Sequence, residues 1–203
     1  MSDRIVVSAV VLVLGLTLSG CGAAAKMITA KSQSERMDVF TGVTDAGATR
    51  QGVTEVVVKA NIKTHEAGYY IGESGKSLHE KPGYPFVFNI DGQAVVWKVD
   101  GTKHELPKYD EKGKTSKDPE AGTGIKYVVE KRLRLRPGRH KVFFGLPGDN
   151  YFTEAAVNLR EGEVNILEFK PVYRYKTRPN RIPTFKKGIS GYAVYLDGSA
   201  LLR

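Results

Sequence analysis

The sequence predicts an all-β domain, and three features carry that expectation. Short runs of β-branched and aromatic residues recur along the chain. Turn residues interrupt them about every 8 to 12 residues, the spacing of sandwiches and barrels. Beyond the N-terminal segment no apolar stripe with the period of a helix is visible.

Residues 53–62 open the series with Val56, Val57, Val58 and Ile62, a β-branched run without Gly or Pro. Residues 85–90 then lead into Asp91 and Gly92, and residues 94–99 follow. Asp-Gly between two apolar runs marks a tight hairpin, because both central turn positions need positive φ. These two strands are therefore expected side by side and antiparallel. Ile125, Tyr127, Val129, Leu133 and Leu135 alternate with Lys126, Glu130, Arg132 and Arg134, the signature of a half-buried strand. Pro137 and Gly138 turn the chain, and His140, Val142, Phe144 and Leu146 share the next strand's face. Pro147, Gly148, Asp149 and Asn150 turn it again. Ala155, Val157 and Leu159 are in phase along residues 152–160, and residues 164–169 form a further strand after Glu161, Gly162 and Glu163. Val142, Phe144, Val157 and Leu159 are expected to be buried together. Residues 191–198 suggest one more strand near the C-terminus.

The N-terminus has the layout of a secretory signal: Arg4, an apolar run over 5–18, then small residues. That run is about 14 residues, short of the roughly 20 a spanning helix needs. Leu18, Ser19, Gly20 and Cys21 resemble the lipobox of bacterial lipoproteins. The resemblance implies cleavage before Cys21 and lipid on its sulfur, and Cys21 is the one cysteine of the 203 residues. Two or three acyl chains, at about 0.8 kcal/mol per buried methylene, anchor stably where one is marginal. Gly22 stands where an aspartate retains enterobacterial lipoproteins in the inner membrane, which favours the outer membrane in a two-membrane cell. The expected organisation is a signal peptide over 1–20, a flexible lipidated tether over 21–52 whose later half docks, and a sandwich over 53–203. The net charge of +9 favours anionic neighbours such as head groups, wall polymers or acidic proteins. An exported lipoprotein makes nucleic acid an unexpected partner.

Leu135, Arg136, Pro137, Gly138, Arg139, His140, Lys141 and Val142, continued by Gly148, Tyr151, Val157, Leu159, Glu161, Gly162, Glu163 and Leu167, resemble the C-terminal half of the PEGA-type surface-layer domain. The resemblance spans 85–170. It implies an immunoglobulin-like antiparallel β-sandwich without catalytic residues. The short Pro-rich motif that names the family is missing, and residues 104–124 look inserted.

Candidate chemistry is sparse. Residues 72–77 read Gly-Glu-Ser-Gly-Lys-Ser, but a phosphate loop needs a glycine where Tyr70 stands and a helix afterwards. His65, His79 and His104 each precede a glutamate, and none has the second histidine a zinc-protease helix requires. No metal site and no cofactor is expected. His140 shares the phase of Val142 and is expected to support its hairpin. No nucleophile elbow occurs. Acidic pairs distant in sequence leave a metal-dependent or acid/base hydrolase as one alternative, and a structural subunit of an envelope complex as another. Tyr69, Tyr70, Tyr84 and Trp97 are candidate ligand-binding residues, since exposed Tyr and Trp offer flat platforms to a sugar or peptide; filling the core is the competing role. The charged insertion 104–124 is expected to be a solvated loop. The basic segment 174–187, with Arg174, Lys176, Arg178, Arg181, Lys186 and Lys187, is a candidate for anionic surfaces, or simply a cover on the sandwich. The leading expectation is a non-catalytic envelope lipoprotein that binds a protein or glycan near the membrane.

Overall fold

The computed structural model describes residues 20–34, 36–43, 52–71, 75, 77–175 and 182–201, with only the backbone of Gly20 and Cys21. Residues 1–19, nearly all of the segment expected to be a signal peptide, lie outside the described residues. So do Gly72, Glu73, Ser74 and Lys76 of the loop motif, and Lys176, Arg178 and Arg181 of the basic segment. Among the described residues no helix is long and apolar enough to cross a membrane.

The chain is an all-β sandwich of two sheets. The larger holds β1 (Phe40–Gly42), β2 (Thr54–Thr64), β5 (Thr102–Leu106), β6 (Gly122–Leu135), β9 (Val164–Tyr173), β10 (Ile189–Leu196) and β11 (Ser199–Ala200). Its order is β1-β6-β2-β9-β10-β11, with β5 beside β6. The smaller sheet has the order β4-β3-β7-β8, built from β3 (Tyr84–Ile90), β4 (Gln93–Val99), β7 (Gly138–Leu146) and β8 (Tyr151–Leu159). One ladder departs from the antiparallel expectation: β2 and β9 run parallel from Glu55 opposite Val164 to Ala60 opposite Phe169. Their long separation in sequence permits this, since parallel neighbours need a crossover and not a hairpin.

Alternation explains the core. Val56, Val58, Ala60 and Ile62 of β2 face Phe86, Phe88 and Ile90 of β3, with Val142, Phe144, Val157 and Leu159 in the same buried cluster. The hairpin at Asp91 and Gly92 forms with φ of 47° and 93°, as its residues demand. Asp100 and Gly101 do something different: they carry the chain from β4 in one sheet to β5 in the other. Gly101 passes so close to β6 that a Cβ there would lie 2.3 Å from Ile125 and 2.7 Å from Tyr127.

Two segments differ from the sequence expectation. The first part of the supposed tether is a helix, α1 (Gly20–Lys31), favoured by Ala23, Ala24 and Ala25. It buries one large side chain, Ile28, against Val87, Phe143 and Phe152 on the outer face of the small sheet. A single buried residue leaves no stripe for periodicity to detect. Farther on, Gln93 accepts from the amides of Val39 and Phe40 at 2.8 and 3.0 Å and donates to the Phe40 carbonyl, tying β1 to the domain. The insertion 104–124 is also not all loop: its ends form the β5–β6 ladder, from Thr102 opposite Lys126 to Leu106 opposite Gly122.

Candidate functional site

Chemistry-bearing side chains gather at the end of the sandwich where β2 stops and β3 begins. His65 follows the last residue of β2, and His79 lies in the connection to β3. Asp149 arrives from the other sheet, on the single 3₁₀ turn Pro147–Asp149 between β7 and β8. Asn150 ends that turn with φ of 49°, a left-handed conformation that asparagine tolerates.

These residues form one hydrogen-bonded chain. His65 Nδ1 meets the Glu66 carbonyl at 3.0 Å. Its Nε2 meets His79 Nδ1 at 3.2 Å, and His79 Nε2 meets the Asp149 carboxylate at 3.3 Å. The Tyr84 hydroxyl donates to the other carboxylate oxygen of Asp149. Burial, then the charge of Asp149, hold Tyr84 well above the usual phenol range, so it stays a donor. A carbonyl and a carboxylate only accept, so the ring nitrogens that face them are the donors in those two contacts.

The sequence anticipated two of these histidines as isolated His-Glu pairs. It marked Asp149 only as a turn residue, because nothing in spacing signals a partner that arrives from another sheet. The geometry orients imidazoles against a carboxylate, yet the nitrogen of His79 remote from Asp149 faces His65 and not a hydroxyl. Among the described residues no group of three or more His, Cys, Asp or Glu is placed to hold a metal ion.

The four candidate aromatics separate. Tyr84 is 1% exposed and packs against Tyr127 in the core, the tilted rings 4.7 Å apart, so it offers no platform. Trp97 is half-buried on the inner face of the small sheet, opposite Phe86 in the β3–β4 ladder and stacked at 5.3 Å on Phe88. Tyr69 and Tyr70 do come together, edge to face at 4.9 Å beside His65, and both are exposed. Part of the basic segment joins them. Lys186 Nζ lies 4.8 Å from the Tyr69 ring centre, and Lys187 Nζ 6.0 Å from that of Tyr70. The Tyr70 hydroxyl donates to the Lys186 carbonyl. Arg174 instead donates to the Ile189 carbonyl at 2.8 Å, bracing β9 against the start of β10.

A second polar cluster, absent from the sequence reading, lies nearby. Lys63 is 1% exposed, and its amine donates to the carbonyls of Glu120 and Gly122, both at 2.7 Å. It also sits 4.6 Å from the Phe185 ring centre. The Glu120 carboxylate accepts from Tyr173 at 3.0 Å and from Lys126 at 2.6 Å. Burial lowers the Lys63 pKa and raises that of Tyr173. These bonds fasten the insertion to the sheet and leave no reactive group open. A groove of ≈ 630 Å³ lies between the end of α1 and the small sheet. Two contacts border it: Lys31 is 3.9 Å from Glu154, and His140 Nδ1 is 2.7 Å from Asp91.

No protein-family model, curated protein or solved structure matches the chain.

Proposed function

We propose that the protein is an exported lipoprotein held to the cell envelope by lipid on Cys21, with a non-catalytic β-sandwich that serves as a binding or accessory module for an envelope protein or glycan. The reading is carried by the position of the one cysteine. It follows Leu18, Ser19 and Gly20 and stands at the head of a helix docked on the sandwich by Ile28.

The test is fractionation and mass measurement of the full chain expressed in a bacterium, beside Cys21→Ser. The native chain should enter the membrane fraction cleaved before Cys21 and carrying acyl mass. The variant should be released or stay unprocessed; unchanged mass and attachment would rule the anchor out. Crosslinking in intact cells then separates a partner-binding module from a purely structural subunit. A metal-dependent or acid/base hydrolase is the second reading, favoured by the His65, His79 and Asp149 chain. Hydrolysis of envelope polymers that is lost in His79→Ala would select it.

A further inference from the structure

The direction of α1 assigns a membrane-facing end to the sandwich. Ile28 packs on the small sheet at Gly145, where a Cβ would lie 3.4 Å from it. Three residues later the Lys31 carbonyl accepts from Asn89 at 3.0 Å, and Asn89 is paired with Phe143. From Ile28 to Lys31 the helix therefore runs away from the Leu146 end of β7. Its N-terminal half therefore runs the other way, toward the end that carries the turn Pro147–Asp149, which lies close to α1. At about 1.5 Å per residue, Cys21 lies roughly 10 Å beyond Ile28 in that direction.

That end of the sandwich is where His79 meets Asp149, and beside it stands an exposed patch of Tyr69, Tyr70, Ile71, Lys186 and Lys187. Ile71 is 108% exposed, Tyr69 50% and Tyr70 37%. A fully exposed isoleucine next to two amphipathic rings has no use for water. Tyr places its ring in the head-group region with its hydroxyl toward water, and Lys reaches back to anionic phosphates with its stem in the apolar layer. The aromatic, apolar and cationic groups an interfacial contact requires thus lie at the end toward which the anchored helix start points.

We infer that this patch seats the sandwich end-on upon an anionic lipid bilayer, so that anchor and patch hold one membrane together. The inference rests on the lipoprotein reading for its first point of attachment. The opposite end, where the chain crosses from β6 to β7 just before Arg139, then faces away from the lipid.

The experiment places an environment-sensitive fluorophore on Ile71→Cys or on Arg139→Cys in the full processed chain, where acylated Cys21 is unreactive. The protein is reconstituted in phosphatidylglycerol and phosphatidylethanolamine vesicles carrying a lipid-borne quencher. The label at 71 should be quenched and the label at 139 should not. Tyr69→Ala with Tyr70→Ala, or Lys186→Gln with Lys187→Gln, should reduce quenching at 71 to the level seen at 139 while membrane attachment persists. Equal quenching at both positions, or none at either, with acyl mass intact, overturns the seating and leaves the anchor standing. Should mass measurement find Cys21 unmodified, the same labels are placed in the Cys21→Ser chain and vesicles are added. Selective quenching at 71 then supports the seating while the anchor reading fails, and its absence overturns both. A label at 71 that ignores lipid but responds to isolated peptidoglycan assigns the patch to a glycan and overturns the proposal.

Discussion

A lysine amine taken out of water must find acceptors, and Lys63 finds the carbonyls of Glu120 and Gly122. The desolvation that lowers its pKa offsets part of what those bonds contribute. Removing the amine while keeping the chain volume leaves both carbonyls without their donor. Lys63→Met should therefore lower stability by about 1–3 kcal/mol, the usual cost of stranding buried polar groups. In urea titrations the midpoint should fall at unchanged m-value. A midpoint equal to the native one would mean that water replaces the amine. In the sequence Lys63 looks like any lysine on the polar face of a strand, and only the return of residues 107–121 over the sheet edge buries it. His65, His79 and Asp149 are likewise unremarkable alone and become a chain only when two sheets meet. His140 was legible, because its strand phase with Val142 announced burial; its 2.7 Å contact with Asp91 was not.

At the scale of elements, strands were legible and the helix was not. Period-2 alternation in residues 125–135 and Asp-Gly turns are local signals, and they survive into β6 and the β3–β4 hairpin. α1 instead depends on one side chain, Ile28, in a pocket supplied by Val87, Phe143 and Phe152. Ile28→Ala should loosen the helix by about 2 kcal/mol, at the low end for a buried isoleucine because its cluster is small. About thirtyfold more open helix follows. Trypsin cleavage after Lys26 and Lys31 should accelerate accordingly, since protease attack tracks the open population. Thermal melting of the sandwich should scarcely change. Equal cleavage rates in the two chains would show that α1 does not rely on this contact. The insertion 104–124 teaches the same lesson: its charged composition concealed the β5–β6 ladder, whose stability comes from pairing to an existing strand edge.

For the whole molecule, four tyrosine hydroxyls buried at the same end or between the sheets set the response to alkali. Tyr84, Tyr127, Tyr173 and Tyr192 all have raised pKa values, each chiefly through burial. In the unfolded chain they ionise near pH 10, whereas the folded protein holds them neutral. Their contribution is complete below pH 10 and declines as pH rises above it, by up to about 1.4 kcal/mol per pH unit for each tyrosine still protonated. Lys63 acts with the opposite sign, because its folded pKa is lowered, and offsets part of the decline below pH 10.5. Melting temperature by circular dichroism should thus fall steeply above pH 10. Tyr192→Phe, which loses a 2.8 Å bond to the Asn61 carbonyl, should be less stable at neutral pH yet less sensitive to alkali. Parallel pH profiles for the two chains would contradict this.

The sequence by itself determined the all-β class, the phase of most strands, the Asp91-Gly92 turn and the shared burial of Val142, Phe144, Val157 and Leu159, because each follows from chemistry within a few residues. Only the tertiary structure decided the parallel β2–β9 pairing, the docking of α1, the burial of Lys63 and Tyr84, and the meeting of Tyr69 and Tyr70 with Lys186 and Lys187. Those outcomes depend on which surfaces two sheets present when they close on one another, and residues far apart in sequence carry no local mark of the neighbours they will acquire.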